Sequence, residues 1–160
     1  MMLLALWLVV QTPDSVTRVR WESSLRASND SLDRVRGAIA TFRADLDQTS
    51  HALVLQRASG VRTGCTGARH ALVDLQSLLG SAYSSKSTHE QSQLRTSTGR
   101  LLSVMNRCEQ EWSPTPATAA RADSLKAWGP YRAAQLGTEL QQFIAAMKRF
   151  MKAAGMAVTA

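Results

Sequence analysis

Apolar residues recur at alternating intervals of four and three positions through the first third of the chain. The series runs from Trp21 to Leu53, and such spacing places every member on one face of an α-helix. Its members are Trp21, Leu25, Ser28, Leu32, Val35, Ile39, Phe42, Leu46, Thr49 and Leu53. A Thr-Pro-Asp sequence at residues 12–14 is a helix-start signal ahead of the series. The pattern therefore predicts a first helix over residues 14–59.

Further segments with the same spacing follow, and groups of turn residues separate them. Residues 60–64 contain two glycines, residues 84–88 read Ser-Ser-Lys-Ser-Thr, and residues 113–116 read Ser-Pro-Thr-Pro. Glycine, serine and proline in such groups interrupt helices and mark turns. The pattern predicts three more helices, over residues 65–84, 89–113 and 117–156.

These segments predict an all-α fold, namely an antiparallel four-helix bundle in which the apolar seams face inward. The first and last helices are predicted to be long, and the two helices between them form a shorter central hairpin. Four helices would then pack together along only part of the bundle. The rest would consist of the start of the first helix and the end of the last. We call this end of the bundle, where the first helix begins and the last helix ends, the docking pole.

Both ends of the chain are apolar. Residues 1–10 read MMLLALWLVV, and residues 143–158 read FIAAMKRFMKAAGMAV. Ten helical residues reach only about 15 Å, whereas a membrane-spanning helix needs about 20 residues. The first segment also lacks the basic residues and the small-residue cleavage site of a secretory signal. We therefore expect residues 1–12 to be retained as an apolar N-terminal anchor.

Two kinds of residue at the docking pole predict contact with a partner or a membrane. Trp7 and Trp21 flank the anchor, and tryptophan is favoured where an apolar region meets water. Cations near them would attract anionic lipid. The predicted docking residues are Leu3, Leu4, Leu6, Trp7, Arg18, Arg20, Trp21, Lys148, Arg149, Phe150, Met151 and Lys152. The alternative is that the tryptophans lie in the core and the cations form an ordinary solvated face.

The overall charge favours an anionic partner. The 160 residues include 19 Lys and Arg but 12 Asp and Glu, which gives a net charge of +7. Residues 1–50 are neutral overall, so the excess lies in the rest of the chain. Lipid head groups or an acidic protein would suit this balance. Because no basic run is interleaved with stacking aromatic residues, we expect no nucleic-acid partner.

The two cysteines are placed to form a disulfide. Cys65 and Cys108 each lie 21 residues from the centre of the predicted turn at Lys86 and Ser87. In an antiparallel hairpin they would sit at the same height, and both occupy seam positions of their helices. We predict a disulfide between them, which indicates an oxidising compartment such as the periplasm. The alternative is a pair of reduced thiols in a cytosolic core.

Side chains that could catalyse a reaction or bind a metal are scattered. The three histidines lack the spacing of metal ligands, and Glu109 and Glu111 point to different sides of a helix. The glycine-rich stretch at residues 60–67 lacks the Lys-Ser/Thr ending of a phosphate-binding loop. We predict a non-enzyme with no catalytic site, no metal and no cofactor.

The anchor at Met1 to Val10, joined to a disulfide-clasped helical bundle, resembles the small extrinsic helical subunits of bacterial membrane energy-converting assemblies. The most similar type is an accessory subunit of a photosynthetic reaction centre and light-harvesting complex. This resemblance implies a non-catalytic role in bracing the larger subunits of a membrane protein complex. From the predicted disulfide we expect a periplasmic location, peripheral to the inner membrane. From the cations at the docking pole we expect anionic lipid as a further partner. The alternative function is a soluble periplasmic sensor or adaptor bundle that binds a ligand or a protein.

Overall fold

The computed structural model describes residues 13–46 and 50–157, and 85% of these residues are helical. This part of the chain forms four α-helices and one short 3-10 turn, and it contains no strand. The all-α prediction is therefore confirmed. The elements are α1 (Ser15–Ala44), α2 (His51–Leu79), the 3-10 turn (Ser85–Ser87), α3 (Thr88–Glu111) and α4 (Ala119–Ala153).

Polar side chains determine where three of the helices begin. The Asp14 carboxylate accepts a hydrogen bond from the Thr17 N–H at 2.7 Å, ahead of α1. The Ser50 hydroxyl accepts one from the Leu53 N–H at 3.4 Å, and Thr118 caps α4 in the same way. Each cap satisfies a backbone donor that has no carbonyl partner within the helix.

The single first helix predicted over residues 14–59 is wrong, because the chain reverses between α1 and α2. Asp45 leaves the helical conformation after Ala44, and Ser50 adopts an extended conformation before α2. The buried series of α2 then begins at Val54, one position after the Leu53 of the predicted stripe. The apolar spacing therefore shifts register at the turn, and the stripe joined two separate helices.

The predicted helix end at residues 60–64 is also wrong, since Gly60 and Gly64 lie inside α2. A Cβ atom added to Gly64 would lie 3.4 Å from the Val35 Cα atom, so α1 and α2 approach each other closely at this point. The segment predicted over residues 65–84 is the second part of α2, which ends at Leu79. Here glycine permits helix packing and does not end the helix.

The four helices form an antiparallel bundle, and each of them has one end at the docking pole. α1 packs against α2 and α4, α3 packs against the same two helices, and α2 and α4 also contact each other across the centre. The helices have 30, 29, 24 and 35 residues, so the prediction of a docking pole only two helices thick is wrong. The turn between α2 and α3 closes that pole.

The predicted disulfide between Cys65 and Cys108 is confirmed, and it joins α2 to α3 in the core. The two Cα atoms are 6.2 Å apart. Both side chains are buried among the apolar residues of the seams. The central hairpin is thus clasped at the height that the sequence indicated.

Candidate docking surface

An aromatic cluster closes the docking pole from inside. It joins Trp21 of α1, Tyr83 of the α2–α3 turn and Phe150 of α4, with ring centroids 5.3 to 5.9 Å apart. Burial raises the pKa of the Tyr83 hydroxyl above its ordinary value. The three rings therefore bind three different parts of the chain together.

Trp21 and Phe150 are core residues, and the prediction that they form part of a docking surface is wrong. Their side chains are 3% and 0% exposed, because the α2–α3 turn covers the pole. Met151 is half-buried and packs against the same core. The alternative noted from the sequence, a tryptophan in the core, holds for Trp21.

Arg18 has a structural role at this pole. Its Nε atom donates to the Glu22 carboxylate at 2.9 Å, and its Nη2 atom donates to the Gly155 carbonyl oxygen at 3.2 Å. The two contacts tie the start of α1 to the residues that follow α4. The charge of Arg18 is thus already partnered within the described chain.

Five other cations around the pole are exposed, and none has a salt bridge within residues 13–46 and 50–157. We call them the cationic rim: Arg20, Lys86, Lys148, Arg149 and Lys152. All but Lys86 were predicted as docking residues. They surround the pole because they come from α1, from the 3-10 turn and from the last turns of α4.

The cations of the rim lie on several sides of the pole. Lys148 lines the groove between α1 and α4, and Arg149 and Lys152 line the groove between α3 and α4. Arg20 lines the groove between α1 and α2, where Asp74 also lies. Positive charge is therefore available to a partner from several directions.

Two exposed valines on α1 were missed by the sequence analysis. Val16 is 76% exposed and Val19 is 64% exposed. They lie three positions apart on the helix face opposite Trp21, so their spacing was the signal that could have identified them. They form an apolar spot on the first two turns of α1.

The remaining predicted docking residues, Leu3, Leu4, Leu6 and Trp7, lie outside the residues that the structure describes. The same is true of the rest of the predicted anchor, residues 1–12. Their part in docking stays a prediction. The described part of the chain begins at Pro13, directly before the cap of α1.

Two acidic residues away from the pole, Asp45 and Glu109, are paired with arginines. Asp45 accepts a hydrogen bond from Arg57 Nε at 2.6 Å, and Glu109 accepts one from Arg69 Nε at 2.8 Å. Burial alone would raise the pKa of Glu109, but the hydrogen bond and positive charge of Arg69 outweigh it and the pKa lies below its usual value. These carboxylates hold helices and turns together, and they do not converge on a common point.

One groove between α3 and α4 could hold a small molecule. It has a volume of about 290 Å³ and lies beside Cys108 and Trp112. Three of its four charged lining residues are paired, because Arg132 contacts Glu111 at 3.6 Å and Glu139 contacts Arg100 of α3 at 2.8 Å. A ligand there would have to compete with these pairs.

Comparison with known proteins does not assign the chain to a group: no protein-family model, no curated protein and no solved structure matches it. Among the residues described here, none of the helices is long and apolar enough to cross a membrane. Within the same residues, no cluster of three or more His, Cys, Asp or Glu side chains could hold a metal ion.

Proposed function

We propose that this protein is a non-catalytic accessory or scaffolding subunit that docks on a larger bacterial membrane protein complex and braces it. A photosynthetic reaction centre and light-harvesting assembly is the type of complex we propose. The observation that carries the proposal is the cationic rim, which surrounds the pole where the apolar residues 1–12 join α1. A membrane-proximal complex offers both an apolar region and anionic groups to such a pole.

The anchor and the rim supply two separate contributions to membrane attachment. One weak apolar anchor holds a protein only reversibly, whereas an anchor combined with a basic patch gives stable attachment. Each cation near an anionic leaflet contributes about 1 kcal/mol. The five residues of the rim therefore supply a second contribution comparable to that of a short apolar segment.

The bundle itself suits a bracing role. The disulfide joins α2 to α3, the aromatic cluster joins α1 to the turn and α4, and Arg18 ties α1 to Gly155, which follows α4. A disulfide is compatible with an oxidising compartment outside the cytoplasm. We propose the periplasmic side of the inner membrane as the location.

A soluble periplasmic sensor or adaptor is the second candidate. The groove of about 290 Å³ between α3 and α4 is the observation that favours it. A sensor of this kind would be found in the soluble fraction, whereas an accessory subunit would remain with its complex.

The test is native isolation of the protein with its partners. An epitope tag inserted after Ala117, in the exposed link at the opposite pole, leaves both chain ends free. Membranes are solubilised in mild detergent, the tag is captured, and the captured proteins are identified by mass spectrometry. We expect stoichiometric recovery of the subunits of one large membrane complex.

A matched pair of variants locates the contact. Leu4→Asp with Trp7→Asp should move the protein to the soluble fraction, because charge in the anchor opposes its burial. Tyr131→Asp, which alters an exposed aromatic residue far from the docking pole, should leave recovery unchanged. Soluble wild-type protein with no complex partner would overturn the proposal and favour the sensor.

A further inference from the structure

We infer that the first two turns of α1 lie against an anionic lipid surface, with Val16 and Val19 inserted among the head groups and the cationic rim on the lipid phosphates. This rests on the proposed function and names lipid itself as one of the partners. It assigns a membrane contact to residues of the folded bundle, in addition to the anchor.

The two valines lie on the face of α1 that points away from the core. Trp21 and Leu25 point into the core, and at 100° per residue Val16 and Val19 lie on the opposite face. The next residue on this outer face is Ser23, so the apolar spot ends after the second turn. An apolar spot of this size, confined to the end of one helix, fits shallow insertion at a membrane surface.

The apolar spot also lies close in sequence to the predicted anchor. Only residues 11–15 separate Val16 from the apolar stretch of residues 1–10. Five residues span at most about 18 Å when fully extended. If the anchor enters a lipid surface, the start of α1 is held within this distance of it.

Charge complementarity selects an anionic surface. The five cations of the rim outnumber the acidic side chains that lie at this pole or in its grooves and lack a salt bridge, which are Asp14, Asp30, Asp74 and Glu90. Asp14 is moreover engaged in capping, and the hydrogen bond from Thr17 lowers its pKa. Glu22 is paired with Arg18. The surface offered to the membrane thus combines the apolar spot on α1 with positive charge on several sides of the pole.

The test uses the purified full-length protein and vesicles without any protein partner. Flotation is measured with phosphatidylcholine vesicles and with vesicles containing one part phosphatidylglycerol to three parts phosphatidylcholine. We expect at least tenfold stronger binding to the anionic vesicles at low salt, and the difference should decrease as salt is added.

Two double variants with the same change in net charge separate local from general electrostatics. Lys148→Gln with Lys152→Gln should weaken binding to anionic vesicles about 30-fold, which corresponds to about 1 kcal/mol per cation. Arg62→Gln with Arg107→Gln removes two exposed, unpaired cations that lie roughly 25 Å or more along α2 and α3 from this pole. This control should change binding no more than threefold.

A second pair of variants tests the apolar contact. Val16→Ser with Val19→Ser should weaken binding to both vesicle types about tenfold, because apolar side chains lose their burial. Tyr131→Ser, at an exposed aromatic position on α4, should have no effect. Circular dichroism of every variant verifies that the helices remain folded.

The outcomes are distinguishable from those of the proposed function. Equal effects of the two charge variants, or no effect of the valine variant, would overturn the lipid contact. If the protein is recovered with a membrane complex but binds neither vesicle type, its surface contacts protein and the proposed function stands. If it binds vesicles and no complex, the lipid contact stands and the accessory role fails.

Discussion

The substitution Gly129→Ala should destabilise the bundle, although glycine to alanine in a helix normally stabilises it by about 1 kcal/mol. Gly129 lies inside α4, where Phe42 and Trp112 pack close to it, away from the docking pole. A Cβ atom added there would lie 2.6 Å and 2.7 Å from two ring atoms of Phe42. Carbon atoms in ordinary contact are about 3.5–4.0 Å apart.

The ring of Phe42 has little freedom to move away. It is 1% exposed and meets the Trp112 ring edge to face at a centroid distance of 4.8 Å. Trp112 in turn packs against Trp128 at 5.3 Å. Overpacking of such a core costs about 1–3 kcal/mol. After the gain in helix propensity, the free energy of unfolding should fall by about 0–2 kcal/mol.

Gly137→Ala in the same helix is the matched control. A Cβ atom at Gly137 would have no neighbour within 4 Å, so only the gain in helix propensity applies there. The control should raise the free energy of unfolding by about 0.5–1 kcal/mol. The two variants should therefore differ by about 1–3 kcal/mol, and this difference measures the overlap with Phe42.

Urea unfolding followed by circular dichroism at 222 nm, with the disulfide intact, gives both free energies. In a Phe42→Leu background the added methyl group has room, so Gly129→Ala should lose most of its cost relative to Gly137→Ala. The double-mutant cycle should show a coupling of about 1 kcal/mol or more. If Gly129→Ala and Gly137→Ala stabilise the protein equally, the close packing of α1 against α4 is refuted.

Three further predictions concern stability. Replacing Cys65 and Cys108 by serine should lower the free energy of unfolding by up to about 4 kcal/mol, since the disulfide closes a loop with a sequence separation of 43; urea unfolding with and without reductant measures it. Trp21→Ala should cost about 3–5 kcal/mol in the same assay, and a loss below 1 kcal/mol would contradict its place in the core. The pKa of Glu109 is depressed by Arg69, so its contribution to stability is present above the unfolded pKa and is lost as pH falls through the folded pKa. Arg69→Met should therefore show a smaller loss of stability than wild type between pH 7 and pH 3, and an unchanged profile would argue against this pair.

The helical class and the disulfide could be predicted because each depends on short-range spacing. The series Cys65, Ala68, Leu72, Leu75 and Leu79 is buried as its heptad spacing indicates. The two cysteines were correctly paired because a hairpin turn at residues 80–87 fixes their relative height. Neither prediction depends on how the other helices are arranged in the bundle.

The break between α1 and α2 could not be recognised from the apolar stripe alone. Leu46 and Leu53 continue the spacing of α1, yet the buried series of α2 passes through Val54. A periodic pattern carries no mark where one helix ends and another starts in a neighbouring register. The local signal was Ser50, whose side chain caps α2.

Only part of the docking surface could be predicted from the sequence. Rim cations such as Lys148 and Lys152 were found because long charged side chains at helix ends stay in solvent. Whether an aromatic residue at the same pole is exposed depends on what covers it, and the α2–α3 turn places Tyr83 over Trp21 and Phe150.

The sequence thus determined the helical class and the apolar faces of the helices, because these depend on neighbours a few residues away, and its composition determined the positive excess. The tertiary structure alone decided that four helices reach the docking pole and that its aromatic residues are core. These properties depend on how far each helix extends past its neighbours. That length is set by turns and packing between segments distant in the chain.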